Sequence, residues 1–235
     1  MGRRLLAIAA LLSATSGLVV IVLRDSAPPA ARPPQAAKAE PTPATTPRPQ
    51  ARRRTLRPRP SRIVWRDSRP LGSPSAGRLL RAVRLPAHGQ HFLTWDPVRK
   101  RSPNRWTRRN GTDDLVRTLL RVAKGYASQH DKQRLLIGDL SRPRGGDFGR
   151  RFGPIGHASH QNGLDADVYF PRKDGKPRAA RSIAQVDRTR AQELVDRFVK
   201  AGATRIFVGA GLRLHGPAGV VQPWPNHDDH LHVRL

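Results

Sequence analysis

Five of the nine histidines in this 235-residue chain fall into two short polar clusters. The first runs Gly156-His157-Ala158-Ser159-His160-Gln161-Asn162-Gly163-Leu164-Asp165-Ala166-Asp167, and the second His227-Asp228-Asp229-His230-Leu231-His232. Imidazole and carboxylate are donors that a catalytic Zn²⁺ takes from a protein, about three of them, with one position left open for water. His160, Asp167 and His232 would supply such a set. A lone histidine is more often a surface or core residue than a ligand, so it is the clustering that carries this reading. His88, His91, His130 and His215 stand outside the clusters and are expected to be structural or exposed.

His160 and Asp167 are seven residues apart with Gly163 between them. This resembles the H-x-x-G-x-x-x-D element of lysostaphin-type and D-Ala-D-Ala-cleaving metallopeptidases, and His230-Leu231-His232 resembles their H-x-H element. Within that group, G-H-A-S-H-Q-x-G-L-D-x-D followed by H-D-x-H-x-H-V-R-L is similar to the penicillin-insensitive murein endopeptidases. Weaker likenesses follow in the family's order: Leu71-Gly72-Ser73-Pro74 with Leu85-Pro86, Arg105-Trp106, and Gly138-Asp139-Leu140-Ser141 with Gly145-Gly146. The resemblance covers roughly Val64 to Leu235.

It implies His160, Asp167 and His232 as zinc ligands and His230 as the histidine that handles protons beside the metal. His157 and His227 match histidines that line the site, His157 as a further candidate ligand and His227 as an alternate proton carrier. Related D-Ala-D-Ala peptidases place a glutamate where Asp229 stands, and the shorter side chain leaves its role as a base open. The implied activity is zinc-dependent hydrolysis of peptide cross-links in peptidoglycan, at the D-alanyl to meso-diaminopimelyl bond. Zn²⁺ brings the pKa of a bound water towards neutrality and polarises a carbonyl, so no serine or cysteine nucleophile is needed. A histidine suits the proton transfer because its unperturbed pKa of ~6.5 lies near working pH. The absence of an acyl-enzyme accounts for indifference to β-lactams.

The elements that position these groups are legible in outline. Asp113 to His130 reads as a helix, with two acids at its start and Leu115, Leu119, Val122 and Tyr126 at helical spacing. Leu135-Leu136-Ile137 reads as a short buried strand. Leu164 to Phe170 alternates apolar and acidic residues, so Asp165 and Asp167 share a face. Arg188 to Ala201 is a second helix ended by Gly202, Thr204 to Val208 a strand, and His230 to Leu235 a last strand with His230, His232 and Arg234 on one side. Ile63 to Leu93, broken by prolines and glycines, suggests strands or extended loops. The order predicts an α+β domain over 63–235, with a small, largely antiparallel central sheet, flanking helices and the zinc site on the sheet. The glycine-rich, basic run 138–153 suits a substrate loop, with Arg142 or Arg144 pairing a peptide carboxylate, or a solvated loop. Trp106 and Trp224 are candidates for a cleft wall or for packing.

Residues 5–23 form an uncharged stretch of nineteen, close to the ~20 that span a bilayer. This favours a signal anchor over 1–24, rather than a cleaved signal peptide, with the catalytic part exported to the periplasm. Residues 25–62, rich in Pro, Ala and Arg, read as a disordered linker. There is no cysteine and the net charge is +27, which excludes disulfides and thiolate ligands. Residues 1–62 carry twelve Lys/Arg against two Asp/Glu, and the rest thirty-two against fifteen. Nucleic acid, anionic lipid, lipopolysaccharide and peptidoglycan carboxylates all suit such a field, and an arginine-rich composition also follows from a GC-rich genome. Nothing marks a specific nucleic-acid site. The alternative reading is therefore a non-catalytic cell-wall or polyanion-binding protein that keeps the peptidase fold.

Overall fold

The computed structural model describes residues 62–131, 133–149 and 156–235. They lie in one compact unit, Thr55–Leu235. The signal anchor over 1–24 and nearly all of the linker over 25–62 lie outside the described residues. No helix among the described residues is long and apolar enough to cross a membrane.

Strands β1 (Arg69–Ser73) and β2 (Ala76–Leu80) form an antiparallel hairpin. β3 (Val83–Arg84) pairs with β5 (Asn110–Gly111), and β4 (Phe92–Thr94) enters the main sheet. Helix α1 (Asp113–Gln129) follows, then β6 (Leu135–Ile137), β7 (Asp165–Tyr169), helix α2 (Arg188–Lys200), β8 (Arg205–Val208), β9 (Val221–Pro223) and β10 (His230–Arg234). The six-stranded sheet has the order β4-β6-β7-β10-β8-β9.

The expected antiparallel sheet holds for the three inner pairings, while β4–β6 and β8–β9 at the two edges are parallel. The sheet is thus mixed. A parallel pair needs a crossover connection, and α1 supplies one between β4 and β6.

The helices have clear reasons to start and stop where they do. Thr112 accepts a hydrogen bond from the Leu115 amide, and Asp113 and Asp114 occupy the first turn of α1, where the helix dipole favours anions. Asp187 caps α2 by accepting from the Arg190 amide. At its other end Gly202, at φ +93, donates to Val199 O while Ala203 donates to Phe198 O, the paired bonds of a Schellman ending.

Leu115, Leu119, Val122 and Tyr126 of α1 and Ala191, Leu194, Val195 and Phe198 of α2 pack with Ala166, Val168, Ile206, Leu231 and Val233 of the sheet in one core. Because side chains alternate along a strand, this leaves Asp165 and Asp167 of β7, and His230, His232 and Arg234 of β10, on the opposite face. Two helices close one side of the sheet and its polar residues gather on the other.

Candidate metal centre

The β7–β10 register sets His232 directly opposite Asp167 and Arg234 opposite Asp165. His160 arrives from the loop before β7. Its backbone sits at φ +67, a conformation that costs a non-glycine residue roughly 1–3 kcal/mol and is held only by its surroundings. Those surroundings are visible: the His160 amide donates to Asp165 Oδ2 at 2.9 Å, and Nδ1 stands 2.9 Å from Leu140 O. A carbonyl only accepts, so Nδ1 carries the proton and Nε2 presents its lone pair. Gly163, at φ +82, completes the turn; a Cβ there would lie 2.6 Å from Leu79 Cδ2.

His160 Nε2, Asp167 Oδ1 and His232 Nδ1 then form a nearly equilateral triangle, with sides of 3.2, 3.3 and 3.3 Å. All three residues are buried, and Asp167 Oδ1 has no hydrogen-bond partner. A buried carboxylate oxygen without a donor is costly, and two imidazole nitrogens facing each other at 3.2 Å share either a proton or a cation. Tetrahedral N/O ligands at about 2.0–2.2 Å from an ion are about 3.3–3.6 Å apart. The donor set fits a small four-coordinate cation. His157, His160 and Asp167 also offer donor atoms within 4.8 Å of one another.

Asp165 holds this triangle in place. Its Oδ1 accepts from Arg234 Nε at 2.6 Å and stands 3.3 Å from His232 Nε2, while its Oδ2 takes the His160 amide. Burial would raise its pKa, but His232, His160 and Arg234 outweigh this and hold it well below the usual range. Asp167 behaves likewise: His160, His157 and His230 overcome its burial. Burial lowers His160, whereas His232, where Asp165 and Asp167 outweigh burial, is raised to about 9.

A second carboxylate, Asp139, lies fully buried behind His157. It accepts from Arg108 Nε at 2.8 Å and from Asn104 Nδ2 at 2.8 Å, pairs again with Arg108 Nη2, and holds His157 Nε2 at 2.8 Å. His157 Nε2 is 3.7 Å from Asp167 Oδ2.

Of the triangle, Asp167 lines a cleft of about 1010 Å³ whose walls also include Trp95, Tyr169, His157, Asp229 and His230. His230 Nδ1 meets Asp229 Oδ1 at 2.7 Å and its Nε2 lies 3.8 Å from Asp167 Oδ1. Burial would lower His230, but Asp167 and Asp229 raise it. Burial followed by His230 lowers His227, whose Nδ1 lies 2.7 Å from Pro225 O and whose ring is 4.9 Å from that of His230. Burial, then the charges of Asp167 and Asp229, keep the Tyr169 phenol protonated well above its ordinary range.

The structure places the residues for which the sequence left a cleft role open. Arg142 gives a hydrogen bond to Asp147 O, and Arg144 lines a different cavity. Among the described residues, the basic side chains on the cleft wall are Lys100, Arg178 and Arg181. Trp106 and Trp224 are about half exposed; Trp106 lies under Arg84 and Trp224 packs on Phe207. The cleft tryptophan is Trp95, which carries no local signal beyond its type. Asp139 and Arg108, thirty-one residues apart, could be paired only in three dimensions.

A mixed sheet with helices on one face and a His/Asp donor cluster on the other defines an α+β protein with a candidate metal centre. The model of the penicillin-insensitive murein endopeptidases matches residues 70–209, more than half of the chain, and includes His157, His160 and Asp167. The chain belongs to this family. It is 32% identical over 195 residues to the penicillin-insensitive murein endopeptidase of Escherichia coli O157:H7, covering 70% of this chain and 65% of that protein. Its identity to the proteins of the same name in E. coli O1:K1 / APEC and E. coli O127:H6 is 31%, with the same coverage. The chain thus spans 65% of the length of these curated relatives.

Proposed function

We propose that this protein is a zinc-dependent endopeptidase that hydrolyses peptide cross-links of peptidoglycan, at the D-alanyl to meso-diaminopimelyl bond, in the periplasm. The observation that carries this reading is the triangle of His160 Nε2, Asp167 Oδ1 and His232 Nδ1, together with family membership. These three residues would hold the ion. When bound there, zinc supplies an acidified water and a polarised carbonyl.

The remaining roles belong to the protein. His230, its Nδ1 fixed by Asp229, turns Nε2 towards the cluster and is the group that takes up and returns the proton; Asp229 orients it, and His227 is the alternate carrier. His157, its Nε2 held by Asp139, offers a donor atom beside His160 and Asp167 and is the further candidate ligand. Tyr169, held neutral, offers a hydrogen-bond donor at the wall. Lys100, Arg178 and Arg181 give the cleft the charge that the free carboxylates of cross-linked stem peptides require. Anchoring through residues 5–23 rests on the sequence.

Purified cross-linked muropeptide dimers should be converted to monomers by this protein, with the activity abolished by a chelator, restored by zinc and unaffected by penicillin. Tight binding to dimers without cleavage, under zinc-replete conditions, would overturn the enzymatic reading in favour of a wall-binding protein.

A further inference from the structure

A second cavity, of about 800 Å³, lies apart from the donor cluster, between the β1–β2 hairpin region, β3 and the 143–144 turn. Seven of its fifteen lining residues are arginines and none is acidic. Arg81 turns out to Asp67 at 2.6 Å, and buried Arg109 donates to Asn104 O and Leu85 O. Among the described residues, no carboxylate pairs with Arg62, Arg66, Arg78, Arg84, Arg109 or Arg144. Burial, then the charge of Arg84, lowers Arg109 to about 10. So many guanidinium groups around one concavity repel one another and concentrate a positive field that an external anion relieves.

The rim indicates which anion. Val64 and Leu80, both on the cavity wall, are 63% and 46% exposed. Trp106, 52% exposed, lies 4.8 Å from the Arg84 guanidinium carbon, and exposed Trp65 stacks on Arg117 at 4.0 Å. Exposed aliphatic and indole side chains among arginines match the boundary of a bilayer, where phosphates lie above apolar chains. A soluble polyanion would satisfy the arginines and leave the apolar rim in water. We propose that this cavity docks the phosphate headgroups of an anionic phospholipid surface, a binding site separate from the cleft over the histidines. Guanidinium forks suit phosphate oxygens bidentately, and each arginine beside an anionic surface contributes about fivefold in affinity.

The test uses the full chain, captured through an N-terminal tag in neutral dodecyl-maltoside. Mixed micelles of equimolar dodecyl-maltoside and phosphatidylglycerol are passed over it, then micelles made with phosphatidylcholine. Phosphatidylglycerol micelles should bind far more tightly, and raising the salt should weaken them. The triple variant Arg66→Gln/Arg78→Gln/Arg84→Gln should bind roughly a hundredfold more weakly. Arg121→Gln/Lys124→Gln/Arg188→Gln removes the same charge from exposed helix positions and should change binding little. Val64→Ser/Leu80→Ser should also weaken it. The proposal is overturned if both triple variants lose affinity equally, or if phosphatidylcholine binds as well. It is equally overturned if soluble polyphosphate displaces the micelles and the Val64/Leu80 variant binds like the parent, which would make the cavity a site for soluble polyanions. Salt-insensitive binding by the parent would sink it without any variant.

Discussion

Two carboxylates on one strand face divide the work of the donor cluster. Asp167 points an unpartnered oxygen at His160 and His232, while Asp165 fastens the His160 backbone and Arg234 and stands 3.3 Å from the His232 ring. His160→Ala, His232→Ala and Asp167→Asn should each abolish stoichiometric zinc binding, measured by metal analysis of the purified variants. His230→Ala should keep the metal and lose about 10²- to 10⁴-fold in turnover, the usual worth of a positioned acid or base. A variant with zinc bound and unreduced turnover would pass the proton-handling role to His227 or Asp229. Asp139 belongs to a different category: it neutralises a buried Arg108 and fixes His157. Removing one partner of a buried ion pair costs about 3–5 kcal/mol. Asp139→Ala should therefore lower stability to chemical denaturation by that order, a loss that added zinc cannot make good. This residue stood in the sequence only as part of a Gly-Asp-Leu-Ser likeness, because its partners Asn104, Arg108 and His157 are distant along the chain.

At the scale of elements, the helices and strands that carry regular patterning were legible almost to the residue. The α1 periodicity, the alternation before Tyr169, and the Gly202 stop all correspond to observed boundaries. The parallel edge pairings were not legible, since β4, β6 and β9 are three residues each, too short to show a period. Nor was a second fastening of α1: the Ser68 hydroxyl donates to Asp113 Oδ1 at 2.6 Å and accepts from the Asp113 amide at 2.7 Å. Ser68→Ala should cost about 1 kcal/mol at neutral pH, as other lost caps do. The sign of its pH dependence follows from Asp113, whose folded pKa is lowered chiefly by this bond. Such a contribution is full above the unfolded value of ~3.9 and fades as pH falls through the folded one. The stability gap between the parent and Ser68→Ala should thus narrow in acid, where only the amide bond is left, as seen in denaturant midpoints across pH. In the loop before β7, Gly163→Ala would place a methyl against buried Leu79 at φ +82, and a cost of roughly 1–3 kcal/mol is expected.

Across the whole molecule, positive side chains line two separate concavities, one beside the donor cluster and one apart from it. Composition alone could not distinguish lipid, nucleic acid or wall carboxylates as the counter-charge, because the excess of basic residues extends along the chain. Folding separates it into a cleft with Lys100, Arg178 and Arg181 beside the histidines and an arginine cavity elsewhere. The clustering of donor groups was readable because His160, Gly163 and Asp167 are local and His230-Leu231-His232 is a strand motif; the cleft wall was not, since Trp95, Lys100 and Arg181 come from unrelated loops. β10 lies in the middle of the sheet, hydrogen-bonded to β7 on one side and β8 on the other. Amides in such a strand exchange with solvent only when the sheet itself opens, at free energies approaching that of global unfolding. The Leu231 and Val233 amides should be among the slowest in the protein, retaining protium long after α1 has lost it at its ends. Removal of any bound metal should leave that ranking unchanged, so the strand that carries His232 would be in place before an ion arrives.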